Sequence, residues 1–200
     1  VACMNATAGH YVDTNGSASQ TPCAAGTYNP SNGSNSSVAC MNATAGHYVD
    51  TNGSASQTPC SPGTWQNQTG QASCMNATAG HYVDSNGSSS QTPCAAGTYN
   101  PSNGSNSSAA CLVTPAGNYS ESAAAAPIQC PVGTWQDQSG QSSCMNATAG
   151  HYVDGAGSAS QTACTAGTYN PNSSSNSSAA CLVTPAGNYS LEGASSPTLC

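Results

Sequence analysis

Large apolar residues along this chain occur singly or in pairs, separated by longer polar stretches rich in Ser, Asn, Gly and Thr. The stretch HYVDTNGSAS is representative, because Tyr11 and Val12 stand together shortly before an Asn-Gly pair at positions 15 and 16. Asn-Gly after a short apolar run is the strongest local signal for a β-hairpin. The three-to-four-residue apolar spacing of an amphipathic helix does not occur. The pattern therefore predicts short β-strands joined by turns and no helices.

The chain repeats itself at several levels. The phrase CMNATAGHYVD begins at positions 3, 40, 74 and 144 without change. Twelve cysteines are spaced 14 to 20 residues apart, and longer and shorter intervals alternate. Repeats of this length indicate stacked modules. We predict three super-repeats, at residues 1–73, 74–143 and a truncated 144–200, with about eleven Cys-delimited modules in a longer chain.

Each module contains a glycine, one variable residue and then an aromatic residue. The glycine permits a tight turn, and the aromatic ring is the largest apolar group available for packing. One ring is too little to order a module on its own, so modules must pack against neighbouring modules, other chains or attached groups. The predicted packing aromatics are Tyr11, Tyr28, Tyr48, Trp65, Tyr82, Tyr99, Tyr119, Trp135, Tyr152, Tyr169 and Tyr189.

Charge excludes several classes of partner. The 200 residues include seven acidic side chains and neither lysine nor arginine, which gives a net charge of -7. Such a surface offers no cation to a nucleic-acid backbone or an anionic membrane, and we expect neither partner for this segment. The polar composition by itself is typical of a disordered chain. The many cysteines instead indicate a chain held by disulfides in an oxidising, extracellular or cell-surface location.

The cysteine-containing text resembles a known family. CSPGTW from position 60 and CPVGTW from position 130, each followed by a Gly/Ser-rich stretch and another cysteine, are similar to the tandem cysteine-rich repeats of the tumour-necrosis-factor-receptor and ephrin-receptor type. These repeats also occur in ciliate surface (immobilisation) antigens. With the turn signals, the resemblance implies a small disulfide-rich, all-β or irregular fold, arranged as a tandem-repeat rod of short β-loops.

In that family the repeat usually reads C-x-x-C-P-x-G-x-Y, but this chain keeps one cysteine of each pair. Ala43 occupies the second position of one pair, and Gln57 occupies the first position of the next. Their repeated joint absence is expected if the two missing cysteines would have been bonded to each other. The same rule applied to the retained cysteines favours the pairs Cys23–Cys40, Cys60–Cys74, Cys94–Cys111, Cys130–Cys144 and Cys164–Cys181.

A second disulfide pairing remains open. It joins Cys3 to Cys23 and Cys40 to Cys60, and continues to Cys181–Cys200. In the favoured pairing, Cys3 and Cys200 would bond beyond the ends of this stretch. Either pairing closes loops of fewer than 20 residues, which stabilise by about 3 kcal/mol each in the loop-entropy description.

Asparagine is the candidate functional residue. Sixteen of the nineteen asparagines begin an Asn-x-Ser/Thr tripeptide, and the other three, Asn29, Asn100 and Asn170, precede proline. This tripeptide is the acceptor for N-glycans in secreted proteins. Asn-Gly-Ser is also ordinary turn composition, whereas Asn-Ala-Thr is no favoured turn and recurs in all four copies. The predicted acceptors are Asn5, Asn15, Asn32, Asn35, Asn42, Asn52, Asn67, Asn76, Asn86, Asn103, Asn106, Asn118, Asn146, Asn172, Asn176 and Asn188.

Other reactive side chains are isolated. His10, His47, His81 and His151 occur once in each copy of the phrase, and each is followed three residues later by an aspartate. One histidine and one carboxylate per module fall short of a zinc or calcium site. The serines are not accompanied by a nucleophile-elbow motif or by convergent acid and base groups. We therefore expect no enzyme, no metal and no cofactor other than covalent glycans.

Two functional hypotheses follow. The first is a structural extracellular glycoprotein, with a disulfide-linked spine and a glycan sheath, that forms a fibre or filament with itself or with neighbouring repeats. The alternative is a cell-surface coat antigen or a receptor-like recognition stalk. Binding modules usually present varied, often charged loops, so the monotony of these repeats favours the structural hypothesis.

Overall fold

A computed structural model describes residues 5–200. Its regular structure consists of antiparallel hairpins made of two two-residue strands each. The hairpins are β1 His10–Tyr11 with β2 Thr21–Pro22, β3 Thr27–Tyr28 with β4 Met41–Asn42, β5 His47–Tyr48 with β6 Thr58–Pro59, β7 Thr64–Trp65 with β8 Met75–Asn76, β9 His81–Tyr82 with β10 Thr92–Pro93, β11 Thr98–Tyr99 with β12 Leu112–Val113, β13 Asn118–Tyr119 with β14 Ile128–Gln129, β15 Thr134–Trp135 with β16 Met145–Asn146, β17 His151–Tyr152 with β18 Thr162–Ala163, β19 Thr168–Tyr169 with β20 Leu182–Val183, and β21 Asn188–Tyr189 with β22 Thr198–Leu199.

The chain also contains short 3₁₀ turns. Three of them, Ser37–Ala39, Ser108–Ala110 and Ser178–Ala180, come just before a cysteine, and the described residues contain no α-helix. The predicted small, disulfide-rich, all-β or irregular fold of tandem repeats is confirmed. The boundaries of the three super-repeats stay a prediction.

Each hairpin begins at the Gly-x-aromatic phrase. In β5–β6 the His47 N–H donates to the Thr44 carbonyl and closes a turn around Gly46, whose φ is +83°. Tyr48 then lies opposite Thr58, and the Cys60 N–H donates to the Gly46 carbonyl at 2.8 Å. Glycine adopts this positive φ without steric cost. The phrase therefore fixes where the first strand begins, and its glycine carbonyl accepts a hydrogen bond from the residue that follows the second strand.

The Asn-Gly pairs have a different role from the hairpin connection that their sequence suggests. Asn15 and Gly16 form a turn inside the loop of residues 12–20, which joins β1 to β2. The connection is nine residues long instead of two, and its backbone also forms hydrogen bonds with a neighbouring module. In the next loop, for example, the Ser34 carbonyl accepts the Val12 N–H at 3.0 Å.

The structure divides into two compact units. One contains residues 5–93 and 102–110 of the described chain, and the other contains residues 94–101 and 111–200. In the first unit, successive modules are joined by Gly26 N–H to Val49 O at 2.7 Å, Asn29 N–H to Ser54 O at 3.1 Å and Gly53 N–H to Cys23 O at 2.8 Å. Equivalent bonds join successive modules within the second unit. Backbone groups left free by two-residue strands are thereby paired between modules.

The core of each unit is made of small side chains. The second position of the family's cysteine pair is buried in every described module except the last, where Thr184 is half-buried; Ala43, Cys60, Ala77 and Cys130 are 0% exposed. The residue after the aromatic is the second buried position in every module except the first, where Val12 is half-buried; Val49 is 2% exposed and Asn29 is 1% exposed. The predicted packing aromatics are half-buried, apart from Tyr189, which is 48% exposed. Since neighbouring strand residues face opposite sides, the residue after the aromatic takes the inner place.

Candidate glycan-attachment surface

The predicted acceptor asparagines lie on the surface. All sixteen are among the described residues, and all are exposed except Asn118 and Asn188, which are half-buried. The Nδ2 atoms of these two also donate to backbone carbonyls of the preceding turn. The other fourteen are exposed side chains, as attachment of an N-glycan through Nδ2 requires.

Three of the four Asn-Ala-Thr asparagines lie in a β-strand, and these three share one geometry. Asn42, Asn76 and Asn146 are the second residues of β4, β8 and β16, and each is exposed. The alanine that follows is fully buried at 0%. The acceptor is therefore held at the surface by a neighbour that is anchored in the core. Asn5, in the first copy, is also exposed and precedes the buried Ala6.

Several loop acceptors join modules through the amide oxygen and leave the nitrogen available. The Asn52 Oδ1 accepts the Ala25 N–H at 2.8 Å. Asn32 and Asn103 accept from Ala8 and Ala79 at the same distance. A glycosylated asparagine keeps its carbonyl oxygen, so attachment of a sugar at Nδ2 is compatible with this contact.

The three asparagines that precede proline have the opposite environment. Asn29, Asn100 and Asn170 are each no more than 1% exposed. The Asn29 Nδ2 donates to the His10 carbonyl at 3.0 Å and to the Ser34 Oγ at 2.8 Å, and its Oδ1 accepts the Ser31 N–H at 3.1 Å. Asn170 makes the same three contacts in its own repeat. Sequence reasoning did not identify these core residues, although the following proline was the available signal.

Disulfides occur in alternate modules. They join Cys23 to Cys40, Cys60 to Cys74, Cys94 to Cys111, Cys130 to Cys144 and Cys164 to Cys181. These are the pairs of the favoured pairing, and the alternative pairing does not occur among the described residues. Cys200 is an exposed free thiol, and Cys3 lies outside the described residues.

Modules without a disulfide have a polar contact at the same place, which we call the Thr–Gln clasp. Gln57, at a missing cysteine position, accepts the Thr44 N–H through Oε1 at 2.7 Å, and its Nε2 donates to the Thr44 Oγ1 at 3.0 Å. Equivalent clasps join Thr7 to Gln20, Thr78 to Gln91 and Thr148 to Gln161. Thr44 is also the hydroxyl residue of the predicted Asn42 acceptor tripeptide, so the same residue belongs to the clasp and to the predicted glycan site.

The histidines belong to these clasps. The His47 Nδ1 lies 3.2 Å from the Thr44 Oγ1 and is half-buried, and the other three histidines are placed in the same way. Where Pro127 and Pro197 replace the glutamine, the described residues show no clasp across the hairpin. In the first of these modules Thr114 instead donates to the Ser120 Oγ of the same arm at 2.7 Å. Thr184 and Ser190 form the same pair at 2.8 Å.

The described residues can also be compared with the requirements of a metal site, a membrane-spanning helix and a ligand pocket. Among the described residues, no three His, Cys, Asp or Glu side chains converge as a metal site. In the same part of the chain, no helix has the length and apolar character needed to cross a membrane. A shallow, open depression in the second unit is lined by Tyr119, Glu121 and Thr134, beside the Cys130–Cys144 disulfide. Glu121 is the ionisable carboxylate in that lining.

Residues 117–164 match the family model described as tyrosine-protein kinase ephrin type A/B receptor-like. The matched stretch contains the Cys130–Cys144 disulfide and the Thr148–Gln161 clasp. No curated protein matches the chain in a sequence comparison. The predicted resemblance to ephrin-receptor-like cysteine-rich repeats is confirmed. Together, the disulfides and the receptor-like cysteine-rich segment indicate an extracellular or secreted protein with a receptor-like segment.

Proposed function

We propose that this chain is a repeat segment of a heavily N-glycosylated structural glycoprotein that builds an extracellular fibre or filament. The observation that carries the proposal is the separation of the asparagines into two environments. Fourteen of the sixteen in an acceptor tripeptide are exposed, whereas the three outside one are buried with their amide groups hydrogen-bonded. Turn composition alone does not explain why the acceptor tripeptide accompanies exposure so closely.

The way in which modules join also supports an architectural role. Within each unit, one module binds the next through the same backbone hydrogen bonds, so adding modules adds the same contacts again. The proposed partners are accordingly neighbouring repeats or copies of the same chain, together with covalent carbohydrate. The proposal includes no catalytic role, no further cofactor, and no nucleic-acid or membrane partner for this segment.

Apolar surface beside the acceptors supports a carbohydrate sheath. Met41, Met75 and Met145 are 39% to 43% exposed, and each directly precedes an Asn-Ala-Thr acceptor. Each also lies opposite an aromatic residue in its hairpin, namely Tyr28, Trp65 and Trp135 respectively. A glycan on the next residue can cover these pairs, which removes apolar surface from water without a larger protein core.

A receptor-like recognition stalk or cell-surface coat antigen is the second candidate. The match of residues 117–164 to the ephrin-receptor-like model favours it. The two candidates differ in what they bind. A fibre segment associates with its own repeats, whereas a stalk presents a site to a different protein. The absence of lysine and arginine leaves little side-chain variety for such a site.

Intact-glycopeptide mass spectrometry on non-reduced native material tests the proposal. A protease that cleaves after aromatic residues replaces trypsin, because the chain contains no lysine or arginine. We expect sugar on Asn42, Asn76 and Asn146, with the five disulfides intact, and filaments of the same material in negative-stain electron micrographs. The variant Asn42→Gln keeps the amide and removes the acceptor, so its glycopeptide must lose sugar at that site alone.

The opposite results have defined meanings. Bare asparagines in a chain that sediments as a soluble monomer contradict the glycosylated fibre and favour the recognition stalk. Glycosylated asparagines in a monomer that captures a different protein also favour the stalk. Only glycosylation together with self-assembly supports the structural role.

A further inference from the structure

Two buried asparagines are one residue away from being glycan acceptors. The sequence is Asn29-Pro30-Ser31 in one repeat and Asn100-Pro101-Ser102 in another. Both have the asparagine and the hydroxyl residue of the acceptor tripeptide, and only proline at the middle position excludes them. The peptide bonds before these prolines are trans, like all others in the described chain.

A sugar at Asn29 is incompatible with the fold. Its Nδ2 has two hydrogens, and both are donated, to the His10 carbonyl and to the Ser34 Oγ. Glycosylation replaces one of these hydrogens by a sugar carbon and leaves one buried acceptor without its donor. The side chain is also only 1% exposed, and close-packed interiors have no space for a saccharide.

Burial in the folded state does not protect these residues. N-glycans are transferred to chains that are still being synthesised, before the contacts around Asn29 exist. At that stage, Asn29 is as accessible as Asn32 or Asn35, which follow a few residues later in acceptor tripeptides. Protection must therefore come from the local sequence.

We propose that Pro30 and Pro101 guard Asn29 and Asn100 against N-glycosylation, so that these amides remain available for the core. The inference rests on the proposed function, because it requires a chain that is N-glycosylated. The reaction that is prevented forms a bond between Nδ2 and the anomeric carbon of a lipid-pyrophosphate-linked oligosaccharide. Nδ2 loses one proton, and the lipid pyrophosphate leaves.

The third buried asparagine supplies a matched control. Asn170 has the same burial and the same three contacts as Asn29, but its tripeptide is Asn170-Pro171-Asn172. Replacing Pro171 removes the ring constraint on the backbone without creating an acceptor, because position three has no hydroxyl. A comparison of the two prolines therefore separates their conformational role from protection.

The test is secretion of the 200-residue chain from a glycosylating host as wild type, Pro30→Ala, Pro101→Ala and Pro171→Ala. Glycopeptide mass spectrometry reads occupancy in both cell-retained and secreted protein. We expect new sugar on Asn29 in Pro30→Ala and on Asn100 in Pro101→Ala, with secreted yield falling several-fold below that of Pro171→Ala. The double variant Pro30→Ala/Ser31→Ala removes the new acceptor, and its yield should return to the level of Pro171→Ala.

Two results would overturn the proposal that proline prevents glycosylation of Asn29 and Asn100. One is a bare Asn29 in Pro30→Ala while Asn32 and Asn35 carry sugar. The other is a glycosylated Asn29 in protein that is secreted as well as Pro171→Ala. Glycan occupancy in the wild-type chain tests the proposed function separately. If the wild type carries no sugar on Asn42, Asn76 and Asn146, both proposals are wrong. If these residues are glycosylated but one of the two results above is found, only the proposal about proline is wrong.

Discussion

The glycine of the Gly-x-aromatic phrase has a packing role in addition to its turn. Gly46 has a φ of +83°, and a Cβ placed on it would overlap the backbone carbonyl oxygen of Gly87, two modules further along. Gly26 meets Gly70 in the same way, and Gly133 meets Ser174. The phrase therefore allows a module to contact its second neighbour as well as its first.

A pair of glycine variants separates the two roles. Gly16 has a similar φ of +79°, but a Cβ added to it would meet nothing within 4 Å. Gly16→Ala is expected to cost about 1–2 kcal/mol for the left-handed backbone alone. Gly46→Ala should cost more, because backbone atoms must also separate. Denaturant unfolding of both variants checks this, and equal losses of stability would show that the close approach is unimportant.

At the scale of the element, most hairpins are closed by a disulfide or by a Thr–Gln clasp. The Cys60–Cys74 disulfide closes a separation of 14 residues, and the Thr44–Gln57 clasp spans 13. A disulfide of that loop length contributes about 3 kcal/mol, compared with about 1 kcal/mol for each hydrogen bond. The clasp modules are therefore the weaker hairpins, and their neighbours help to hold them.

A new disulfide in a clasp module tests this equivalence. Ala43 and Gln57 occupy the two missing cysteine positions, so Ala43→Cys/Gln57→Cys should form a bond and stabilise the chain by about 3 kcal/mol. Non-reducing peptide mapping detects the bond, and thermal unfolding measures its effect. The single variant Ala43→Cys is the control, since it introduces the sulfur without a partner. Absence of the new bond in oxidised, folded protein would contradict the equivalence.

The hairpins themselves were predictable from local chemistry, but their details were not. Gly46 and Tyr48 carry a turn and a strand residue in a fixed order, so the position of β5 follows from the sequence. The position of its partner β6 ten residues later does not, because Asn52 and Gly53 suggest an earlier turn. These two residues instead bind Ala25 and Cys23 of the preceding module. Contacts between modules override the local turn preference.

For the whole molecule, equivalent contacts recur about one super-repeat apart. Gly63 donates to the Val83 carbonyl at 2.7 Å in the first unit, and Gly133 donates to the Val153 carbonyl at 2.8 Å in the second. The modules that contain Trp65 and Trp135 are thus followed by equivalent neighbours. A chain built in this way should tolerate the loss of a complete super-repeat.

Deletion of residues 74–143 tests the predicted super-repeat. It places Cys144 directly after Ser73, where Cys74 normally stands, and leaves Trp65 followed by an equivalent module. We expect a folded chain with disulfides Cys23–Cys40, Cys60–Cys144 and Cys164–Cys181, as read by non-reducing peptide mapping and thermal unfolding. Deletion of residues 74–93 is the control. It removes fewer residues but leaves Cys94 to compete for two partners, so it should misfold, and equal behaviour of the two deletions would contradict the super-repeat.

The sequence by itself determined the modular plan: repeated hairpins, disulfide stabilisation and an asparagine-rich surface. These properties follow from residue spacing and from the local chemistry of glycine, cysteine and the acceptor tripeptide. Tertiary structure alone decided which of two disulfide pairings occurs, and that Asn29, Asn100 and Asn170 belong to the core while the aromatic rings remain half-exposed. Burial depends on neighbouring modules, so the same amide group is a predicted glycan-attachment site at the surface and a structural hydrogen-bond donor in the interior.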